Sequence, residues 1–518
     1  MVEDAAKKEG ARGGTMGSPA LRKLNVGPVV WILPSFARHK GCASVQNSSG
    51  PSDGGGEQLI SRKRGLLSVL ALFVAVLALI AAGCGGDDGS SSGGTTTAAS
   101  GGSGGNIEAL PSSSCTAVEY EGEGDPDVLL ASDFPLQGSS RTQTIQIVEA
   151  IRYLLEKSNF KAGDHNVAYQ SCDDATAQAG KWDSGKCSTN AQAYAGNEKV
   201  VGVIGTFNSG CAAIEIPVLN QAPGGGVAMI SPANTYVCLT EGGPGCDATE
   251  PDKYYPSGNR NYARVVANDA YQGAAVAEFA KAQGVKSVYI LNDKEAYGLG
   301  VATNFKNAAT NVGIKVAGFA AWDPKASSYE ALFNKIKGTG ADAVFLGGLI
   351  DENGAQVIKD KVAVLGANDG KVKLFVPDGF TTQQTIDEAP EAAPGMFLSV
   401  AGVPIDQFKG AGAEFIKDFK PRLGGKPVDP YAIYGAQAAE VMLNAIAASD
   451  GSRADVIAKL FEQKINDGLL GTFGINENGD PSGAEGAVVG FTIYKATDKL
   501  TTVTTISPKP EVVEAARG

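Results

Sequence analysis

Four side chains in this sequence stand where a small charged molecule would meet them. Ser209, Thr235, Tyr297 and Asp378 each lie in a polar loop just beyond a short apolar run that reads as a buried strand. In open α/β sheets, ligands sit beyond the carboxyl ends of the strands. The loops are Thr206-Phe207-Asn208-Ser209-Gly210, Ser231-Pro232-Ala233-Asn234-Thr235, Asn292 through Gly298, and Pro377-Asp378-Gly379. They offer hydroxyls and amides for a carboxylate, a carboxylate for an ammonium, and rings such as Phe207 and Tyr297 for a side chain. That set is the complement of a free amino acid. Each residue also has an ordinary structural reading. Ser209 fits a helix N-cap, Asp378 a turn residue in Pro-Asp-Gly, and Tyr297 plain packing between lobes.

Alternating strands and helices must position these loops. From Asp127 onward, strands are expected at 128–131, 166–169, 200–205 and 227–230. A helix is read from Ile145, Val148, Ile151 and Leu155, which recur at helical spacing, and another starts near Gly210. Val200–Gly205 is apolar throughout, as a parallel strand covered on both faces would be. A second series places strands at 288–290, 316–318, 343–346 and 374–376, with helices near 270–283, 298–312, 329–337 and 353–365. Residues 411–463 read as mostly helical. The stretch 471–506 reads as hairpins with Asn478-Gly479 as a turn. Two successive βαβ series imply two doubly wound α/β lobes.

Composition narrows the chemistry. From Cys84 onward the chain has 435 residues, more than one core usually serves. That part carries 34 Lys/Arg against 51 Asp/Glu. Such an acidic surface argues against nucleic acid, whose phosphates need a basic footprint. It holds one histidine, His165, which is assigned an ordinary surface role. One histidine cannot build a metal cluster or supply the usual acid–base partners. From Asp127 on there is no Gly-x-Ser-x-Gly and no Gly-x-x-x-x-Gly-Lys-Ser/Thr. No catalytic residue, metal or cofactor is therefore expected. A hydrolase or transferase on a similar two-lobed fold is the rival from another class.

Eight cysteines occur. Cys42 lies upstream and Cys84 is special, which leaves Cys115, Cys172, Cys187, Cys211, Cys238 and Cys246. An even number in an exported chain suggests disulfides. Pairing by nearness in sequence gives Cys172–Cys187 and Cys238–Cys246, with Cys115–Cys211 left over.

The region before the folded part reads as an address. Arg62-Lys63-Arg64 precedes 17 residues, Leu66–Ala82, that are apolar apart from Ser68. Gly83-Cys84 and a Gly/Ser/Thr/Asp tract follow. A basic head, a short apolar core and small residues describe an export signal. With its cysteine, the segment resembles a bacterial lipoprotein signal, which implies lipid on Cys84 and a place on the outer face of the cytoplasmic membrane. Ala81 stands where that pattern prefers Leu. The alternative is a single membrane anchor, for which 17 residues is short of the usual ~20. The organisation expected is a mis-assigned start or disordered extension at 1–60, a signal at 61–84, and a flexible tether at 85–126.

The ordered loops resemble the leucine/isoleucine/valine-binding proteins of ABC importers. The matching residues are Val203-Ile204-Gly205, Ile230 through Ala233, Asn292-Asp293-Lys294 with Tyr297 through Gly300, and Gly347-Gly348. They continue through Pro377-Asp378-Gly379, Tyr431 to Tyr434, and Gly471 through Asp480. The resemblance implies two lobes joined by three crossings, 127–267 with 396–470 and 268–395 with 471–508, and a ligand in the cleft. It implies that Ser209 and Thr235 hold the ligand's α-carboxylate. The Ala233 carbonyl and the Asp378 side chain would hold its ammonium, and Tyr297 would close over it. A membrane permease is the implied partner. Departures are Asp378 where Glu is common, Leu349 for an aromatic, a less Ser-rich 207–210 loop, and Gln143 for Tyr. Relatives of this fold also bind amides, urea and aromatic acids, and some serve as sensory receptor domains.

Overall fold

The computed structural model describes residues 107–518 apart from Glu485. The apolar tract Leu66–Ala82, Cys84 and the first sixty residues lie outside the described residues. No helix among the described residues is long and apolar enough to cross a membrane.

The first lobe is built from β1 (Val128–Phe134), α1 (Arg141–Lys157), β2 (Lys161–Ala162), β3 (His165–Asp173), β4 (Ala175–Thr176), β5 (Lys181–Trp182), α2 (Ser184–Gly196), β6 (Val200–Gly205), α3 (Ser209–Asn220), β7 (Ala228–Ser231) and β8 (Tyr262–Arg264). Its main sheet runs β2-β3-β1-β6-β7-β8. From β3 to β8 the pairings are parallel. Every residue of β1 and β6 is buried, because helices cover both faces.

The second lobe follows with α4 (Asp269–Ala282), β9 (Ser287–Asn292), α5 (Ala296–Asn311), β10 (Lys315–Ala321), α6 (Glu330–Thr339), β11 (Ala343–Gly347), α7 (Gly354–Leu365), β12 (Lys373–Val376), α8 (Gln383–Glu388) and β13 (Phe397–Ala401). The chain then returns to the first lobe as α9 (Gly410–Phe419), α10 (Pro430–Ala447) and α11 (Arg453–Phe461), followed by β14 (Lys464–Gly468), β15 (Gly471–Ile475) and β16 (Pro481–Ser482). It ends in the second lobe with β17 (Phe491–Ala496), β18 (Leu500–Ile506) and α12 (Pro510–Arg517). The second sheet runs β10-β9-β11-β12-β13-β17-β18.

Helix α10 lies between α1 and the first sheet, and its faces are almost wholly buried. Asp429 caps it, accepting from Tyr431 N at 2.9 Å, and Pro430 fits its first turn. Gly435 lets α1 approach, since a Cβ there would lie 2.6 Å from the Ile147 side chain.

Three boundaries differ from those expected. β13 pairs with β12 and β17, so residues from 396 to about 401 belong to the second lobe. Strand order across a sheet is not a local property, and nothing within Phe397–Ala401 announces it. The hairpin β14–β16 forms its own small sheet against α9, and its turn is tied to β8 through Arg264. The return to the second lobe therefore comes after β16, not at 471. The expected tether reaches too far. Leu110 is buried, and residues 115 and 119 bridge antiparallel to Cys172 and Tyr169 of β3. Residues 107–120 thus strap the exposed edge of β3, an edge that would otherwise offer unpaired backbone groups.

The disulfides also differ. They are Cys115–Cys172, Cys187–Cys211 and Cys238–Cys246, so two of the three expected pairings are wrong. The strap carries Cys115 to the edge strand, and α2 packs beside α3, which sets Cys187 against Cys211.

The lobes are joined at three crossings among the described residues: 265–268, 402–409 and 483–490. The first is buried at Val265, Val266 and Ala267. The second and third run side by side, with Gly402 N donating to Gly490 O at 2.7 Å.

Candidate functional site

The loops after β6, β7, β9 and β12 converge where the lobes meet. A narrow gap opens there, lined by Phe207, Asn208, Ser209, Ala233, Tyr297, Leu349, Asp378 and Gly379. Five of the six predicted ligand-binding residues are therefore brought together. Thr235 does not line the gap. It lies two residues beyond Ala233, fully buried, and its Oγ1 has no partner. Its carbonyl accepts from Asp269 N at 2.8 Å.

Ser209 opens α3, and Asn208, not Ser209, holds the N-cap position. The Ser209 hydroxyl accepts from Tyr236 N at 3.3 Å. First-turn amides have no intrahelical acceptor and favour negative charge. Asn208 is buried with Oδ1 unpartnered, a polar atom of the gap wall to which the sequence reading gave no role.

Asp378 faces Ser209 from the second lobe. Its carboxylate accepts from Tyr297 Oη at 2.6 Å on one oxygen and from Tyr431 Oη at 2.7 Å on the other. Gly379 N donates back to Tyr297 Oη at 3.1 Å. Burial holds the Asp378 carboxyl above its ordinary range, while the two tyrosine hydroxyls pull it down. Burial, then the Asp378 charge, holds both phenols well above theirs, so they remain donors. A carboxylate offers about four lone-pair positions. Two tyrosines leave room for a cation.

Tyr431 comes from α10 of the first lobe, so its bond to Asp378 crosses the cleft. Its ring also meets Phe207 edge-on at 5.5 Å. Sequence reading matched the segment 431–434 but assigned Tyr431 no role. The available signal was a tyrosine in a largely apolar, buried helix, since a buried phenol must find a partner.

Beneath α3 lies a second polar cluster. Asp133, Asp174, Glu215 and Tyr194 are completely buried. Asn190 Nδ2 donates to both Asp133 oxygens at 3.1 Å, whereas neither Asp174 oxygen has a partner. Burial pushes Asp133 up to about 6, and Asp174 and Glu215 well above the carboxylate range.

A model of the family described as periplasmic binding protein matches residues 134–489. The Leu/Ile/Val-binding protein homolog 1 of Brucella abortus is 25% identical over 383 residues, covering 73% of this chain and 92% of that protein. A leucine-binding protein from Thermotoga maritima has the same fold, with a TM-score of 0.62 at 21% identity, covering 74% of this chain and 99% of the other. A solute-binding protein from R. palustris in complex with benzoate has a TM-score of 0.57 at 18% identity, covering 74% and 96%.

Proposed function

The chain belongs to the periplasmic binding protein family, and from that premise we propose that it is the extracytoplasmic solute-binding component of an ABC importer, closing its lobes on a branched-chain-like amino acid. One observation carries this. Ser209 at the start of α3 and Asp378 on the opposite lobe line one small gap, a helix N-terminus facing a carboxylate.

The ligand's carboxylate docks at Ser209 on the first lobe, with Thr235 joining as the loop adjusts. Its ammonium takes the Ala233 carbonyl and the free positions of Asp378. Tyr297 covers the ligand on closure, and Phe207 and Leu349 meet its side chain. The ligand favours the closed form because it touches both lobes. That form is the one a permease reads. Cys84 carries lipid and holds the protein at the outer face of the membrane.

Calorimetry on the full chain after ligand stripping tests this. Leucine, isoleucine or valine should bind one to one, and Asp378→Ala should weaken binding. Unchanged affinity in that variant refutes the assignment. A second reading, an aromatic acid, is favoured by the Phe207–Tyr431 ring pair, and benzoate binding in the same titration would select it. Mass spectrometry of the protein from its native membrane, finding unmodified Cys84, would remove the anchor.

A further inference from the structure

The cleft has contacts of its own outside the gap. The β4–β5 hairpin of the first lobe reaches over its mouth. Gly138, at φ 78°, lets the hairpin dock, because a Cβ there would collide with the Gly180 carbonyl. The ring of Trp182 lies over Gly210. Next to it, Lys181 pairs with Glu352 of the second lobe and lies 4.0 Å from Glu295. Glu352 is 2% exposed, and Lys181 is the cation paired with it among the described residues. The start of α1 adds hydroxyls. Ser140 Oγ donates to Asp351 at 2.6 Å, Ser139 N to the same carboxylate at 3.2 Å, and Ser139 Oγ to Glu388 at 3.0 Å. None of these residues lines the gap.

We propose that Lys181, set against the acidic lip of Glu295, Asp351 and Glu352, is a latch that determines ligand affinity from outside the pocket. The latch rests on the amino-acid-binding reading only for its affinity arm. When the lobes part, all four groups regain water. Glu352 and Glu295 both belong to the second lobe; closure dries the lip they share, which sharpens their repulsion, and brings Lys181 across the cleft as the charge that offsets it. Glu295 is held above its ordinary range by burial and by Glu352, with Lys181 opposing. Ligand affinity scales with the population of the competent, closed form. Contacts that favour closure therefore tighten binding without touching the ligand.

The test uses the full chain with nitroxides on unnatural side chains at the exposed positions Glu198 and Lys335, one per lobe, leaving the disulfides intact. Pulsed dipolar spectroscopy reads the interlobe distance, and calorimetry reads L-leucine affinity. Lys181→Ala should shift the distance distribution towards open and weaken leucine binding about tenfold, while Lys181→Arg keeps both near wild type. Glu295→Gln should act in the opposite sense and tighten binding. The exchange Lys181→Glu with Glu352→Lys should recover part of the closed population. Unchanged distances and affinity in Lys181→Ala overturn the latch, as does Glu295→Gln weakening binding. If the wild type takes no leucine, the amino-acid reading fails, and a distance shift in Lys181→Ala still supports the latch.

Discussion

The two lobes share an architecture but are held together differently. The first contains all three disulfides, a strap along its edge strand, and Arg453, buried and donating to the carbonyls of Tyr194, Ala195, Asn197, Val200 and Pro223. The second has no cysteine at all. Its buried cation, Lys361, donates to Gly366 O and Val372 O and is pushed down to about 7 by burial. The first lobe presents Ser209 and Ala233 from cross-linked surroundings. The second contributes Asp378 and Tyr297 to the same gap. On the proposed function, the covalent cross-links are concentrated in the lobe that receives the ligand first.

Reduction is the strongest way to break that contrast. Removing a native bridge costs ~2–5 kcal/mol, so Cys187→Ser with Cys211→Ser should lower protection across the first lobe in hydrogen exchange and leave β9–β12 unchanged. Equal loss in both lobes would show that they unfold as one unit. Asp378→Ala comes next, expected to cost ~2–5 kcal/mol of ligand affinity by stranding a buried ammonium. Tyr431→Phe sharpens the comparison, because it keeps the ring on Phe207 and removes only the bond across the cleft. It should cost ~1–3 kcal/mol by calorimetry, with thermal stability nearly unchanged.

The smallest effect concerns pH and belongs to the first lobe alone. Burial raises Asp133, Asp174 and Glu215 above their unfolded values. A carboxyl raised in this way stabilises the fold while protonated, and that stability is lost as pH rises through the folded value. For Asp133 that value is about 6. Thermal stability should therefore fall as pH rises from the ordinary carboxylate range to about 6 as Asp133 ionises, and go on falling above that as Asp174 and Glu215 follow. Glu215→Gln should reduce the fall by about 2–4 °C. A variant whose melting curves keep the wild-type pH slope would remove the cluster from the account.

Local pattern made much of this fold legible. Val200–Gly205 was readable to the residue because a strand covered on both faces must be apolar throughout. Helix α2, Ser184–Gly196, was not, because its buried stripe is only Cys187, Asn190, Ala191 and Tyr194, which is weakly apolar. The site loops were legible from one rule about strand ends; within them the resemblance singled out Ser209, Ala233, Tyr297 and Asp378, which line the gap, and Thr235, which does not. Tyr431 escaped that rule because it arrives on a helix after the chain has crossed back. The cysteines were misjudged for a related reason. Nearness along the chain favoured Cys172 with Cys187, whereas the strap at 107–120, read as part of a tether, brings Cys115 to the sheet.

That strap also defines a load path. Tension applied through the residues before 107 reaches Cys115 and passes through its covalent bond into Cys172, at the end of β3. The segment between Cys115 and β1 is spared. From β3 the pull spreads along seven consecutive registers with β1, from Val128–Val167 to Phe134–Asp173, which resist in shear instead of unzipping one by one. A tug from that side would be borne first by β3 and β1 in the first lobe.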